Sequence, residues 1–228
     1  MLHLGLGKQG RTQIVIFFYE DGSRGRDVLT NFIGDAELKS VMTDGYNAYV
    51  FIGDELSNVK KSPNIKTAIH QVCMAHFMAK LNKASDQVGD IHARSFLSGV
   101  DFYYKRERQC DAEGLTPEER GRRRQDLESK EMLITLRQHL KIELDKDPSE
   151  TTPYLREALN YLDKFWDNIF AFLKGGNLPI DNNLAELAIR TLTTKRNSML
   201  HFGSDEGAEM AATYHSIIST DKMHGRSA

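Results

Sequence analysis

The sequence predicts an α/β fold, and three observations predict it. Short β-branched or apolar runs at 14–19, 40–43 and 67–73 read as strands. Helical patterns follow them, and this strand–helix alternation is that of a parallel α/β unit. From about Met74 to Gly175 the pattern is then almost wholly helical, which reads as an all-helical insertion.

The elements follow in order. Residues 1–13 are glycine-rich and polar and carry little strand signal. Ile14-Val15-Ile16-Phe17-Phe18-Tyr19 reads as a buried strand, turned by Asp21-Gly22-Ser23. Residues 27–33 read as a short helix with Val28, Leu29, Phe32 and Ile33 on one side. Ser40-Val41-Met42-Thr43 is a strand ending in Asp44-Gly45, and a helix is expected from about Asn47. After a loop at 60–64, residues 67–73 form a strand feeding a helix that begins near Met74.

Thr116-Pro117-Glu118-Glu119 combines a threonine cap, proline at the first helical position and glutamate at the third. The helical run it opens carries Leu127, Met132, Leu133, Leu136, Leu140 and Leu144. Thr152-Pro153 opens another, with Leu155, Leu159, Leu162, Trp166, Ile169 and Phe170 on one stripe and Gly175-Gly176 as its stop. Pro179 and Asp181-Asn182-Asn183 mark a loop and a cap. The helix after them has Leu184, Leu187, Ala188 and Thr191 as a packing face. A loop or hairpin at 194–203 leads to Ser204, which caps a final helix with Met210, Ala211, Tyr214, Ile217 and Ile218 inward. The predicted organisation is a partial α/β core at 1–90, the helical insertion at 91–175 and C-terminal helices at 176–228 that complete the core.

At 228 residues and 40% apolar composition the chain can bury a substantial core. It has no run of 18 apolar residues, which argues against a membrane span. Two cysteines, Cys73 and Cys110, give no disulfide framework, and a reducing cytoplasm is the expected compartment. A net charge of −2 does not by itself suggest a nucleic-acid partner. A DNA enzyme can nevertheless be neutral overall if one face is basic and its metal site acidic.

Two carboxylates stand out. Asp44 follows a strand directly, where open α/β sheets present their chemistry. Glu186 falls off the packing face of its helix, with Asn183 and Asn182 three and four residues before it and Arg190 four after. These four can share one polar stripe; the plainer reading is a capped surface helix with a Glu–Arg pair. Asp44 and Glu186 together would offer hard oxygen ligands suited to Mg²⁺ or Mn²⁺.

Asp44-Gly45-Tyr46, Cys73-Met74-Ala75-His76, Ile180-Asp181-Asn182-Asn183-Leu184-Ala185-Glu186 and Phe202-Gly203-Ser204-Asp205-Glu206-Gly207 occur in this order. Together they resemble the catalytic region of the bacterial insertion-sequence-sixty-six family of DDE transposases, from about Phe17 to the end. The resemblance implies a ribonuclease-H-like core, three acidic metal ligands, and DNA cleavage with strand transfer at insertion-sequence ends. The strands at 14–19, 40–43 and 67–73 would be the third, fourth and fifth of that sheet. Asp44 and Glu186 would be catalytic metal ligands. Such ligands let divalent ions stabilise both the attacking and the leaving oxygen of a phosphodiester.

The same resemblance gives roles to other residues. Lys195, Arg196 and Asn197 would touch DNA phosphates, which position without reading sequence; an exposed polar loop is the alternative. Arg190 would do the same from its helix, or simply orient Glu186. Cys73 and His76 supply only two of the four ligands that structural zinc wants, and Cys110, His70 and His92 are not persuasively spaced to add the rest. They read as a strand-to-helix corner supporting the acidic site, as do Asn182 and Asn183. Arg120, Arg122, Arg123 and Arg124 lie among Glu118, Glu119, Asp126 and Glu128 and read as a solvated helix face. Trp166 reads as core.

The chain departs from the family pattern at its start. A third carboxylate is expected on the first strand of the sheet, yet the first acidic residue is Glu20. The expectation is a core lacking its first strand or strands, either a fragment of a longer transposase or a relic, and inactive alone. The intact protein would act as a homo-oligomer on double-stranded DNA at transposon ends and target, with no membrane partner. Two other readings use the same residues: a non-catalytic DNA- or protein-interaction remnant, and a metal-dependent nuclease without strand transfer.

Overall fold

The computed structural model describes residues 14–18, 25–58, 62–183, 185–187 and 204–226. The chain divides into two compact units. One holds residues 40–45 and 69–181; the other holds residues up to 39, 46–68 and those from 182 on.

The first unit is built on two parallel strands, β1 (Ser40–Thr43) and β2 (Ile69–Val72), paired from Ser40 with Ile69 to Thr43 with Val72. Helices dominate the rest of it: α2 (Met74–Val88), α3 (Ile91–Ala112), α4 (Pro117–Arg124), α5 (Leu127–Asp145), α6 (Pro153–Lys164) and the short α7 (Trp166–Ile169). Their starts are chemically explicit. Thr116 accepts the Glu119 N–H while the Glu119 carboxylate accepts the Thr116 N–H, a complete capping box. Asp90, Asp126 and Thr152 cap α3, α5 and α6 by accepting first-turn N–H groups. Asp90 also accepts the Thr152 hydroxyl at 2.7 Å, joining two helix starts.

One apolar cluster runs through this unit. Val72, Met74, Phe77 and Leu81 pack with Phe96, Val100, Tyr103, Leu140, Leu159, Leu162 and Phe172. The helices between 91 and 175 therefore share a core with β2 and α2. At roughly 1.5–3 kcal/mol per buried large apolar side chain, this cluster is the main driving force for the unit.

In the second unit, α1 (Arg26–Ile33) buries Val28, Leu29 and Ile33, and Arg26 lies over the Phe51 ring at 4.6 Å. The C-terminal helix α8 (Asp205–Met223) is capped by Ser204, which accepts the Gly207 N–H at 3.1 Å.

Three expectations are corrected here. The described part of the first predicted strand, 14–18, is not paired into a sheet. The Val15 and Phe17 N–H groups instead donate to the Thr220 and Ser216 hydroxyls of α8, at 3.0 and 2.8 Å. Its alternation is real, with Val15 and Phe17 buried, but side-chain hydroxyls take the bonds a strand would have taken. α8 turns Ser216 and Thr220 toward this segment and buries Ala208 and Ala212 at the same four-residue spacing, while Met210, Tyr214 and Ile217 are exposed rather than inward.

The helix expected from Asn47 is a single 3-10 turn, Asn47–Tyr49, without a side-chain cap. The chain leaves it within one turn at Gly53, whose φ of +75° suits glycine and whose N–H bonds the Ile65 carbonyl at 3.0 Å. A parallel two-stranded sheet within a largely helical chain is compatible with the α/β class. No helix among the described residues is long and apolar enough to cross a membrane.

Candidate functional site

The site is built at the carboxyl end of the β1–β2 pair. The two strands stop together: the Cys73 N–H bonds the Thr43 carbonyl at 3.0 Å, so Asp44 and Cys73 are the first residues beyond the paired edge. Asp44 is exposed, whereas Cys73 is fully buried at the start of α2 and His76 is half-buried in its first turn. Both cysteines are free thiols.

The turn after Asp44 requires glycine. Gly45 has φ +79°, and a Cβ there would stand 2.7 Å from the Tyr161 hydroxyl. That hydroxyl donates to the Asp44 carbonyl at 3.0 Å, so α6 fixes the backbone that carries the aspartate. Burial, with a smaller contribution from the neighbouring Cys73 and Asp44 groups, pushes the Tyr161 phenol well above the usual range, and it stays a hydrogen-bond donor.

Beneath the turn, the Thr43 hydroxyl meets His70 Nε2 at 3.0 Å and accepts the Gly45 N–H at 3.3 Å. Burial lowers the His70 imidazole to about 4, so it is neutral at physiological pH. Asn168 holds the same strand by donating to the His70 carbonyl at 3.1 Å.

The motif segment before the glutamate is strapped alongside. Gln71 donates through Nε2 to the Pro179 carbonyl at 2.9 Å, and the Met74 N–H donates to the Ile180 carbonyl at 3.3 Å. The Tyr104 hydroxyl of α3 donates to the Asp181 carboxylate at 2.9 Å. Asp44, Cys73, His76 and Asp181 thus belong to one framework of strand ends and helix starts.

The strap is anchored from behind by an arginine that sequence reasoning placed on a solvated face. Arg124 is 5% exposed. Its guanidinium donates to both Glu107 oxygens and to the carbonyls of Phe172, Gly175 and Leu178. Arg120 adds a bond to Glu107 at 2.8 Å and one to Asp111 at 2.6 Å, and Arg123 pairs with Glu113 at 2.7 Å. Arg122 alone of the four is exposed. A pattern of alternating charges carries no signal that one of its cations turns inward; the uncapped carbonyls around Gly175-Gly176 were the only clue.

Glu186 belongs to the second unit with Asn182 and Asn183. Its N–H bonds the Asn182 carbonyl at 3.0 Å, the first helical bond, so Asn182 stands at the cap position as its sequence suggests. Leu187, expected on the packing face, is 61% exposed. Arg190, Lys195, Arg196 and Asn197 lie outside the described residues, as do Leu184, Ala188 and Thr191. Trp166 is half-buried against Phe170, with the Arg137 guanidinium 4.8 Å over its ring.

Comparison with known proteins agrees with the motif order. Residues 2–210 match the model of the transposase IS66 family. Three uncharacterized proteins of Sinorhizobium fredii are similar. The protein y4jD is 28% identical over 185 residues, covering 81% of this chain and 34% of its own. The protein y4qI is 27% identical over 214 residues, covering 93% of this chain and 38% of its own. The protein y4hP is 31% identical over 124 residues, covering 54% and 22%. This chain thus spans between about a fifth and two fifths of the length of the curated relatives it matches. No solved structure matches it. The match over residues 2–210 takes in the Asp44 turn, the Cys73–His76 corner and the Asn182–Glu186 segment, and the chain belongs to the IS66 transposase family.

Proposed function

We propose that the chain is part of the catalytic region of a DNA transposase that cleaves insertion-sequence ends and transfers the freed 3′ hydroxyl into target DNA. The observation that carries this reading is the position of Asp44. In a chain of a transposase family, it is an exposed carboxylate on a glycine turn at the carboxyl edge of a parallel strand pair.

Asp44 and Glu186 would hold Mg²⁺ or Mn²⁺. The donor chemistry fits, since both residues offer carboxylate oxygens and Asp44 is open to solvent. A bound divalent ion would supply Lewis acidity at the scissile phosphate. The chain's own residues do the positioning. Tyr161 fixes the Asp44 carbonyl, His70 and Thr43 brace the turn beneath it, and Tyr104 holds Asp181 ahead of the glutamate segment. A ribonuclease-H-like sheet completed by a third carboxylate from elsewhere in the intact protein belongs to the same proposal. So does action as a homo-oligomer on double-stranded DNA, with Arg190, Lys195, Arg196 and Asn197 against its phosphates.

The test is Glu186→Gln in the full-length protein. It is expected to abolish end cleavage while leaving the gel shift with element-end DNA unchanged. Cleavage at the wild-type rate would refute the assignment.

A further inference from the structure

A second cluster of metal-ligating side chains lies in the helical body, away from the Asp44 turn. His92 stands in the first turn of α3, and His139 and Glu143 are one turn apart on α5. One ligand atom from each lies within 4.8 Å of the other two. His92 Nδ1 is 3.0 Å from the Glu143 carboxylate oxygen Oε1, and His139 Nε2 is 3.4 Å from the same atom. Ligands about 2.0–2.1 Å from a tetrahedral zinc stand about 3.3 Å apart, so two of the three edges already have nearly the length an ion requires.

The carboxylate between the imidazoles is buried and only half matched. Glu143 is 2% exposed, and its Oε2 is buried without a hydrogen-bond donor. Such an oxygen is costly to leave unmatched. The only full cation on the carboxylate among the described residues is Lys146, whose Nζ lies 2.7 Å from Oε1. His139 is held in place by stacking on Phe96, with centroids 4.3 Å apart and planes 4° from parallel. Both imidazoles are partly exposed, so the cluster is reached from solvent.

We propose that His92, His139 and Glu143 bind a divalent transition-metal ion of the zinc class that pins α3 to α5. Two imidazoles and one carboxylate form a borderline donor set, which favours zinc, cobalt or nickel over magnesium. The site is independent of the proposed DNA chemistry. Lys146 competes with the ion for Oε1 and occupies it when no metal is bound.

The test titrates the metal-free full-length protein with Co²⁺ and then Zn²⁺, following visible absorption and the melting temperature. One equivalent of Co²⁺ is expected to give the strong visible bands of a four-coordinate site, bleached by Zn²⁺, with a rise in melting temperature. Glu143→Gln and His139→Ala are expected to weaken binding at least tenfold, and Lys146→Met, which keeps every ligand, to tighten it several-fold. Absence of stoichiometric binding would overturn the proposal, as would binding that all three substitutions leave unchanged. Should the ligand variants fail to fold, Lys146→Met decides: unchanged or weaker affinity there also overturns it.

Discussion

Arg124 and Glu107 form a two-point ion pair in the core of the helical unit, Nε to Oε1 at 2.8 Å and Nη2 to Oε2 at 2.7 Å. The remaining guanidinium nitrogen reaches the carbonyls of Phe172, Gly175 and Leu178. One side chain therefore ties α3 and α4 to the loop that leads into Asp181 and the glutamate segment. The planar fork is what makes this possible, since a lysine has no such geometry.

Arg124→Lys is expected to destabilise the protein by about 3 kcal/mol. It removes the paired bonds and leaves the Glu107 carboxylate and three carbonyls under-matched in the interior. Urea denaturation checks this. Arg122→Lys, at an exposed position, is the control and is expected to change stability by less than about 0.5 kcal/mol.

Gly176→Ala tests the same junction from the backbone side. A Cβ on Gly176 would collide with the Pro117 carbonyl oxygen and stand 2.9 Å from the Gly121 nitrogen, backbone atoms that cannot swing away. A loss of about 2 kcal/mol or more is expected in chemical denaturation. Gly121→Ala meets the Gly176 nitrogen only at 3.4 Å and gains helix propensity, so it is expected to be far milder.

Gly45→Ala should cost about 1–2 kcal/mol for the left-handed backbone alone, and more for displacing the Tyr161 ring. Tyr161→Phe keeps the ring and deletes only the bond to the Asp44 carbonyl, at about 1 kcal/mol. If Tyr161 positions Asp44, Tyr161→Phe in the full-length protein lowers the cleavage rate while DNA affinity holds. A fall in affinity without a change in rate would contradict that role.

His70 sets a pH dependence. Its imidazole is held at about 4 in the folded protein against 6.5 when unfolded, so below 6.5 the unfolded chain takes up the proton first. Stability from the buried neutral ring is complete above pH 6.5 and is lost as the pH falls toward 4. The loss is on the order of 3 kcal/mol if the ring stays buried. His70→Gln keeps a polar group near Thr43 but cannot titrate. The difference in melting temperature between it and wild type is expected to change across pH 6.5–4 and to be flat above that window.

What was legible in the sequence was what is local. The capping box at Thr116–Glu119, the caps at Thr152 and Ser204, the strands around Val41 and His70, and the helix start at Met74 are each written in a few adjacent residues. The order of the motifs carried the family. Long-range bonds were not legible. Nothing near Ile14 says that its neighbours will bond to hydroxyls of α8, and nothing near Arg124 says that its partner is Glu107. The histidine–glutamate cluster was hidden in the same way, because His92 is distant in sequence from His139 and Glu143 and only the packing of α3 on α5 joins them.

The central claim is that Asp44 is a catalytic metal ligand. The most direct measurement is Mg²⁺-dependent cleavage of a duplex carrying the element end, by full-length wild-type protein and by Asp44→Asn, with gel shift and melting temperature recorded in parallel. Loss of cleavage by at least a thousandfold is expected, with binding and stability unchanged. Cleavage by Asp44→Asn within tenfold of wild type would contradict it.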